Sequence, residues 1–396
     1  MGTGGFSPSR LDRMHEAMAA HVARGELPGL VTLVHRRGET HVDAIGTMAV
    51  GGGTPMRRDT IFRIASMTKP VLAVAAMVLV EECRLRLDDP VDPLLPELAH
   101  RRVLRRVDGP LEDTVPARRP ITLRDLLTFR CGFGLVLDPQ DCPIQRAVHE
   151  AGIAAGPDPF PHSPDEFMRR LGELPLVCQP GERWLYHTGF DVLGVLVERA
   201  VDRPLESFLR ERIFEPLGMR DTGFHLPSEK SDRLPPLYLT DPRTGAPVVA
   251  RSPHDWSRPP AFASGGAGLL STAGDYLAFL RMLLNGGRHG GERVLSRRSV
   301  ELMTTNHLTP EQRAGAGEIL DDNAGWGFGV TVTLTRDRLE ATPGRFGWEG
   351  GRGTAAYADP AEDMVGVLLT QLGMDSPHSP KVFSDFWTSA YQAIDD

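Results

Sequence analysis

The spacing of apolar residues changes along the chain, and each spacing predicts a different element. Apolar positions at helical spacing predict an amphipathic helix over residues 11–24. The next two apolar runs, 30–34 and 41–45, are separated by a charged turn with a glycine, which is typical of a β-hairpin. Residues 71–80 are apolar on every face, so we expect a buried helix that begins near Ser66.

The character of the chain changes between residues 86 and 260. Proline becomes frequent there, and no clear strand alternation is visible. Short helical patterns recur instead, at residues 123–129, 164–174, 190–201 and 205–214. The C-terminal part then predicts helices at 272–284 and 381–394, and strands at 328–335, 353–358 and 365–372.

Strands near both ends of the chain, with helices between them, indicate one sheet that both termini complete. We therefore expect an α/β fold: an antiparallel sheet built from both chain termini and flanked by helices, with a mostly helical inserted domain. The predicted α/β domain comprises residues 1–85 and 261–396. The predicted helical domain comprises residues 86–260, with the active site at the interface. A length of 396 residues suits two domains or one elaborated domain.

Charge and hydropathy exclude two classes of partner. The formal net charge is −8, and no dense run of Lys and Arg is interleaved with aromatics, which argues against a nucleic-acid partner. The longest apolar run has ten residues, about half of what a membrane span needs. We therefore expect neither nucleic acid nor membrane as a partner.

Targeting and metal-binding signals are also missing from the sequence. Residues 1–5 lack the basic start and apolar core of a signal peptide, so a cytoplasmic location is expected. His15 and His21 are six residues apart, not the four that would place two metal ligands on one helical face, and residues 51–53 lack the Lys-Ser/Thr of a phosphate loop. The cysteines show no spacing typical of metal ligands, and we therefore expect reduced thiols at Cys83, Cys131, Cys142 and Cys178. We expect no metal and no cofactor.

A serine and a lysine three positions apart are the first candidates for chemistry. Only three of the 44 Lys and Arg residues are lysines, and one of them, Lys69, follows Ser66 by three positions. Residues i and i+3 share a helical face, so the amine reaches the hydroxyl without any long-range contact. Burial lowers the pKa of a lysine and lets it accept a proton, which an arginine cannot do. The alternative is that Lys69 is an ordinary surface cation.

Two further segments could complete such a site. Tyr186 is predicted on a loop between a Pro-Gly turn and an apolar helix, where a catalytic side chain can be presented, or else it is a core tyrosine with a satisfied hydroxyl. A phenol beside a cationic lysine is expected to have a lowered pKa and to pass the serine proton to a leaving group. The glycines of segment 346–354 mark either a strand edge that a substrate approaches or a turn between strands.

Three short motifs occur in the order and approximate spacing of a known family. They are Ser66-Met67-Thr68-Lys69, Tyr186 in a Pro-Gly-x-x-Trp-x-Tyr setting, and Trp348-Glu349-Gly350. From about residue 10 to 390 the chain resembles the serine β-lactamase-like superfamily of class C β-lactamases, penicillin-binding proteins and family VIII carboxylesterases. The resemblance implies that Ser66 is the acylated nucleophile, that Lys69 and Tyr186 are the general base pair, and that the N–H groups of Ser66 and Gly351 form the oxyanion hole.

Departures from the family pattern bear on the substrate. Trp348 stands where the β-lactamases and peptidases carry a Lys, and its ring favours an apolar acyl or alcohol group. Thr188 stands where an Asn amide is usual, so the clamp on a substrate amide is missing. Both changes are similar to the carboxylesterase branch. The predicted substrate-binding residues are Trp348, Gly350, Thr188 and His187, and a solvent-facing loop position is the alternative for His187.

Two other departures from the family pattern give no indication of the substrate. Glu349 replaces a glycine that is usual in esterases. Strand alternation would point it away from Trp348, whereas without alternation its charge would lie near the oxyanion. The segment 129–132 stands where His-x-x-Gly is common, and the sequence offers no physical reason for the change.

These observations predict a serine esterase that cleaves small esters through a Ser66 acyl-enzyme. An acyltransferase would use the same residues and differ only in the acceptor. Weak β-lactamase or D-amino-acid peptidase activity, or a non-catalytic scaffold that keeps the fold, are the other hypotheses. The sequence predicts a small-molecule ester or acyl substrate and leaves the oligomeric state open.

Overall fold

Strands from both ends of the chain form one central sheet in the computed structural model, which describes residues 4–252 and 256–396. In chain order the strands of this part are β1 (Gly29–Arg36), β2 (Glu39–Gly46), β3 (Phe62–Arg63), β4 (Arg102–Leu104), β5 (Thr114–Pro116), β6 (Leu237–Thr240), β7 (Pro247–Arg251), β8 (Leu270–Ser271), β9 (Arg288–His289), β10 (Glu292–Arg293), β11 (Ala324–Trp326), β12 (Thr331–Thr333), β13 (Phe346–Gly350), β14 (Thr354–Asp359) and β15 (Met364–Thr370). Seven of them form an antiparallel sheet in the order β11-β12-β13-β14-β15-β1-β2. The predicted sheet that both termini complete is confirmed.

Helices cover both faces of this sheet. The α-helices of the described residues are α1 (Pro8–Ala23), α2 (Thr68–Glu81), α3 (Leu123–Leu127), α4 (Pro143–Glu150), α5 (Pro164–Glu173), α6 (Thr188–Val201), α7 (Leu205–Leu209), α8 (Glu215–Leu217), α9 (Ala273–Leu284), α10 (Arg297–Met303), α11 (Pro310–Ala314) and α12 (Lys381–Gln392). On one face α1 packs with α12, and on the other α9 packs against β1, β14 and β15. Every residue of β1 and β15 is buried as a result, which explains why these strands are mainly apolar instead of alternating with polar residues.

The α2 helix joins the sheet side of the molecule to the helical region. It packs against α6 and α10, and its residues from Thr68 to Leu79 are all buried. A single 3-10 turn, Ala65–Met67, precedes it, so the predicted helix at residues 71–80 is present and is extended toward Ser66. Burial on all sides is what the absence of a polar face predicts.

The region 86–260 contains two hairpins that the sequence pattern does not reveal. Strand β4 pairs with β5, and β6 pairs with β7. These strands have three to five residues, which is too short for a period of two to be recognised. The helices α3 to α8 also lie in this region, and the domain boundaries at residues 85 and 261 stay a prediction.

The predicted strand at residues 328–335 is shorter than expected, because only Thr331–Thr333 form a strand and residues 328–330 form a turn. Strand β11 ends at Trp326 and β12 begins at Thr331, because Gly329 between them has a positive φ of 73°. A side-chain carbon at Gly329 would lie 2.8 Å from the carbonyl oxygen of Lys69. This turn therefore rests directly on the first turn of α2, and only glycine fits there.

Segment 346–354 forms a strand followed by a turn, which resolves the two alternatives left by its glycines. Strand β12 pairs with β13 only at Phe346 and Gly347, so in the described structure Trp348 to Gly350 pair with β14 alone. The other edge of β13 is thus open beyond Gly347. A large cavity lies along this open edge, with lining residues from both sides of the strand.

Three observations concern the expected partners and metals. No helix of residues 4–252 and 256–396 has both the length and the apolar character that a membrane crossing requires. The four cysteines are free thiols, and Cys83 alone among them is exposed. In the same ranges no three His, Cys, Asp or Glu side chains form a metal-binding group. The prediction about a signal peptide begins at residues 1–3, which lie outside the described residues.

Candidate active site

Ser66 lies at the entry to α2, on the wall of the cavity at the open edge of β13. The cavity has a volume of about 560 Å³, within the range of small-molecule sites. Ala65, directly before the serine, has a φ of +43°, a left-handed conformation that costs an alanine energy. Only 8% of the surface of Ser66 is exposed, so the strained turn delivers one hydroxyl to the cavity from an otherwise buried segment.

Lys69 is completely buried and is hydrogen-bonded to Ser66. Its Nζ lies 2.9 Å from the Oγ of Ser66 and donates to the carbonyl oxygen of Gly266 at 2.6 Å. The i, i+3 spacing thus brings the amine and hydroxyl together as predicted from the sequence. Burial lowers the pKa of Lys69 strongly, while the carboxylate of Asp191 acts in the opposite direction. The interpretation of Lys69 as a surface cation is wrong.

Tyr186 lies on the loop before α6, with its hydroxyl directed toward the same place. The phenolic oxygen accepts a hydrogen bond of 2.5 Å from the Nε1 of Trp348, and Lys69 Nζ lies 4.6 Å from the ring centroid. Burial raises the pKa of Tyr186, and the hydrogen bonds with Ser66 and Trp348 only partly offset it. The expected lowering of this pKa is therefore wrong: burial of the hydroxyl outweighs the hydrogen bonds that stabilise its charged form, and the group is a neutral phenol.

An aromatic cluster fixes the ring of Tyr186 in place. Phe129 lies edge-on at 5.0 Å, Trp184 stacks at 5.6 Å, and Trp326 lies behind them. Phe129 has a φ of +55°, and the following Gly132 has a φ of +90° with its α-carbon against the carbonyl of Cys178. Segment 129–132, for which the sequence offered no reason, therefore forms part of the support of Tyr186.

A buried carboxylate, which no local sequence pattern reveals, acts on Lys69. Asp191 is 0% exposed and accepts hydrogen bonds from Ser264 Oγ at 2.6 Å and from the N–H of Gly266 at 3.2 Å. It thereby holds the loop whose carbonyl binds Lys69 Nζ. Burial raises the pKa of Asp191. The available signal was an acidic residue in the first turn of an otherwise apolar helix, but a helix N-terminus favours an acid for its own reasons.

His187 is buried, so the alternative of a solvent-facing loop position is wrong. It has a φ of +86° at the start of α6 and lines the cavity beside Tyr186. Its Nε2 lies 3.4 Å from the Oδ2 of Asp191, beyond good hydrogen-bond contact. Burial and the nearby Lys69 lower the pKa of His187, which is therefore neutral.

Strand alternation separates Trp348 from Glu349. The indole of Trp348 reaches Tyr186, whereas Glu349 accepts a hydrogen bond of 2.6 Å from Ser379 Oγ. Gly351 lines the cavity with open space at its α-carbon, while a side chain on Gly350 would collide with the carbonyl oxygen of Ile64. Gly350 thus permits close contact between β13 and the segment before Ser66.

Thr188 is directed away from the other predicted site residues. It lines a neighbouring cavity of about 90 Å³, together with apolar residues of α4 and of the loop that leads to it. The shared wall includes Leu135 and Ala155, which line both cavities. Thr188 is the first residue of α6, one position beyond His187, and it lines this second cavity and not the one beside Ser66. A direct contact of Thr188 with a substrate held at Ser66 is thus not supported.

The fold and this site define an enzyme of the serine hydrolase class with a β-lactamase/transpeptidase-like fold. The sequence profile of the family "Beta-lactamase" matches residues 14–379. An uncharacterized protein of Mycobacterium tuberculosis is 42% identical over 88% of this chain and 86% of its own length. Esterase EstB of Burkholderia gladioli is 32% identical over 89% of this chain and 88% of its own.

A solved structure agrees with these sequence comparisons. EstCE1, described as a hydrolase with promiscuous acyltransferase activity, superimposes with a TM-score of 0.81 at 26% identity, covering 97% of this chain and 98% of its own. The chain belongs to the Beta-lactamase family.

Proposed function

We propose that the protein is a carboxylesterase that cleaves small esters through an acyl-enzyme on Ser66. The observation that carries the proposal is the contact of 2.9 Å between Ser66 Oγ and a fully buried lysine amine. Because burial lowers the pKa of Lys69, its amine is available as a base, which a hydroxyl nucleophile requires. Similarity to esterase EstB supports the same chemistry.

In the proposed first step Lys69 removes the proton of Ser66 as Oγ forms a bond to the ester carbonyl carbon. The oxyanion is stabilised by the N–H groups of Ser66 and Gly351. The carbon–oxygen bond to the alcohol then breaks, and the neutral phenol of Tyr186 supplies the proton that the alcohol needs. Lys69 returns its proton to Tyr186, which leaves both groups neutral. Water then attacks the carbonyl carbon of the acyl-enzyme. Tyr186, after giving its own proton to Lys69, accepts a proton from this water, and Lys69 passes the proton that it holds to Ser66 Oγ as the bond to the acyl group breaks.

Trp348 indicates which class of substrate the site accepts. The resemblance of the third motif implies that Trp348 stands where β-lactamases and peptidases carry a Lys, and its indole is hydrogen-bonded to Tyr186. The wall next to Ser66 is therefore apolar and aromatic, which suits the acyl or alcohol group of a small ester. Among the other predicted substrate-binding residues, His187 lines this wall, and Gly350 and Thr188 do not.

Burst kinetics test the proposal. Nitrophenyl esters of short acids, mixed with the pure protein, are expected to release one equivalent of nitrophenol rapidly before a slower steady state. The variant Ser66→Ala should show neither phase. Turnover of these esters at the wild-type rate by Ser66→Ala would contradict the assignment of the nucleophile.

Acyl transfer to an alcohol or amine is the second candidate. The cavity of about 560 Å³ has room for an acceptor beside an acyl group, and EstCE1 carries promiscuous acyltransferase activity by its description. Product analysis with an added acceptor alcohol distinguishes the two, since a transferase yields a new ester and a strict hydrolase yields only acid. Nitrocefin in the same series tests for weak β-lactam hydrolysis.

A further inference from the structure

The cavity has a polar end that the proposed ester chemistry does not use. Past the open edge of β13 its lining continues to Arg345, Tyr357 and Glu349, on the opposite side of the strand from Trp348. Arg345 is 7% exposed, which is unusual for an arginine on a cavity wall. Its surroundings indicate what this part of the cavity binds.

The guanidinium of Arg345 has no ionic partner within hydrogen-bond distance. Its Nε and Nη2 are buried and have no hydrogen-bond partner among residues 4–252 and 256–396, and no carboxylate of those residues forms an ion pair with it. A buried guanidinium without an anion is costly, because its positive charge has been taken out of water. The site is therefore electrostatically incomplete as it stands.

Aromatic rings hold this guanidinium in one position. Its carbon Cζ lies 3.8 Å from the ring centroid of Tyr357 and 4.3 Å from that of Trp387 in α12. Stacking of this kind orients the planar guanidinium group without neutralising its positive charge. The group is thus fixed before any ligand binds, which lowers the entropy cost of binding.

The acidic side chains of the same wall are directed elsewhere. Asp321 and Glu340 both lie within ion-pair distance of Arg338, at 2.6 and 3.8 Å. Glu349 accepts a hydrogen bond from Ser379, and its burial raises its pKa to about 7, which this hydrogen bond and the charge of Arg345 only partly offset. Glu318, which also lines the cavity, is exposed. Arg345 is therefore the arginine of this wall that forms no ion pair with a carboxylate of the described residues, and Glu349 is the acid on which its charge acts from a longer distance.

We propose that Arg345 binds a free carboxylate that the substrate carries at a distance from the ester bond cleaved at Ser66. The substrate class is then an ester of a dicarboxylic acid or of a carboxylated alcohol, with one carboxylate unesterified. This inference rests on the proposed esterase function. It adds a charged subsite to a wall that is apolar next to the nucleophile, so the two ends of the substrate are recognised by different chemistry.

Matched charged and neutral esters test the inference. One series consists of nitrophenyl hemi-esters of dicarboxylic acids of increasing length, each compared with its methyl-capped counterpart. The other consists of acetyl esters of hydroxybenzoic acid and of its methyl ester. In one of the two series the wild-type protein should prefer the charged member about tenfold to a hundredfold in kcat/KM, the expected effect of a hydrogen bond to a charged group. The responding series shows whether the acyl or the alcohol part carries the carboxylate.

The variant Arg345→Gln should abolish this preference, measured as the ratio of kcat/KM for the charged and neutral members. Arg338→Gln is the matched control, since it removes an arginine of the same wall that is already paired, and it should keep the ratio within about twofold of the wild-type value. A preference for the neutral member in both series, or a preference that Arg345→Gln retains, would overturn the inference.

The wild-type comparison needs no variant, so the result stands even if Arg345→Gln does not fold. Hydrolysis of neutral esters without a preference for charged ones would contradict the proposed carboxylate subsite and leave the proposed esterase function standing. Failure to hydrolyse any of these esters removes the proposed esterase function itself, so the two failures are distinguishable.

Discussion

The indole Nε1 of Trp348 donates a hydrogen bond of 2.5 Å to the phenolic oxygen of Tyr186. This bond occupies one acceptor position of the hydroxyl, so the phenolic hydrogen is left for Ser66 or a leaving group. Besides its proposed place in the substrate wall, Trp348 thus orients the hydroxyl of Tyr186. The substitution that favours an apolar substrate also sets the direction in which Tyr186 donates.

Trp348→Phe tests this orientation, because it keeps an aromatic ring and removes the N–H. We expect kcat for a neutral nitrophenyl ester to fall roughly two- to tenfold, the worth of one ordinary hydrogen bond. Trp184→Phe is the control: Trp184 also stacks on Tyr186, but its buried Nε1 has no hydrogen-bond partner in the described part of the chain. Equal losses in the two variants would argue against a specific role for the bond.

Lys69→Arg is expected to be inactive although it preserves the positive charge. A guanidinium cannot give up its proton in a protein, so the loss in kcat should be about 10²- to 10⁴-fold, the usual contribution of a general base. Lys69→Met, which is close in length and apolar, should lose as much activity while keeping the cooperative thermal unfolding of the wild type. More than a tenth of the wild-type kcat in Lys69→Arg would contradict the role of Lys69 as a base.

The pH profile of kcat/KM should report the buried amine. Activity requires neutral Lys69, and burial lowers its pKa, so activity should rise with pH at a midpoint far below the ordinary lysine value of 10.5. Asp191→Asn removes the charge that raises this pKa but keeps acceptors for Ser264 and Gly266. The midpoint should therefore move to lower pH.

Asp275→Asn is the control for this shift. Asp275 is a half-buried carboxylate that accepts a hydrogen bond from Thr222, and it is not among the charges that act on Lys69. Its replacement should leave the midpoint in place. A shift to higher pH in Asp191→Asn would contradict the assignment of the midpoint to Lys69.

The strained turn before Ser66 leads to a prediction about stability. Because Ala65 has a positive φ, Ala65→Gly removes strain in the folded state and should leave the free energy of unfolding unchanged or raise it by about 1 kcal/mol. Ala75→Gly, in the interior of α2, should lower it by about 1 kcal/mol or more, because glycine is unfavourable in a helix and the buried methyl group is lost. Urea unfolding measures both. An equal loss in the two variants would argue against strain at Ala65.

How much of the site could be predicted depended on how local each contact is. The Ser66–Lys69 contact follows from helical spacing alone, and the burial of α2 follows from its lack of a polar face. The bond between Trp348 and Tyr186 joins residues 162 positions apart, and no local pattern specifies it. The raised pKa of Tyr186 likewise depends on aromatic residues that the fold gathers from distant segments.

The same distinction applies to the fold. The interior strands β1, β14 and β15 were predicted because buried strands of six or more residues leave mainly apolar runs in the sequence. The short strand β13 and the hairpins β4/β5 and β6/β7 leave no such pattern, since their pairing partners supply the stability. Asp191 and Arg345 were missed because burial, which makes an acid or an arginine unusual, is a property of the fold and not of the local sequence.

The most direct test of the proposed chemistry is which residue a serine-directed fluorophosphonate modifies. After brief incubation with a fluorophosphonate, intact mass should increase by one adduct, and peptide mapping should place that adduct on Ser66. Lys69→Arg should be labelled far more slowly, since its serine has no base. An adduct on another residue, or no adduct on a folded protein, would contradict the central claim that a buried lysine amine activates Ser66.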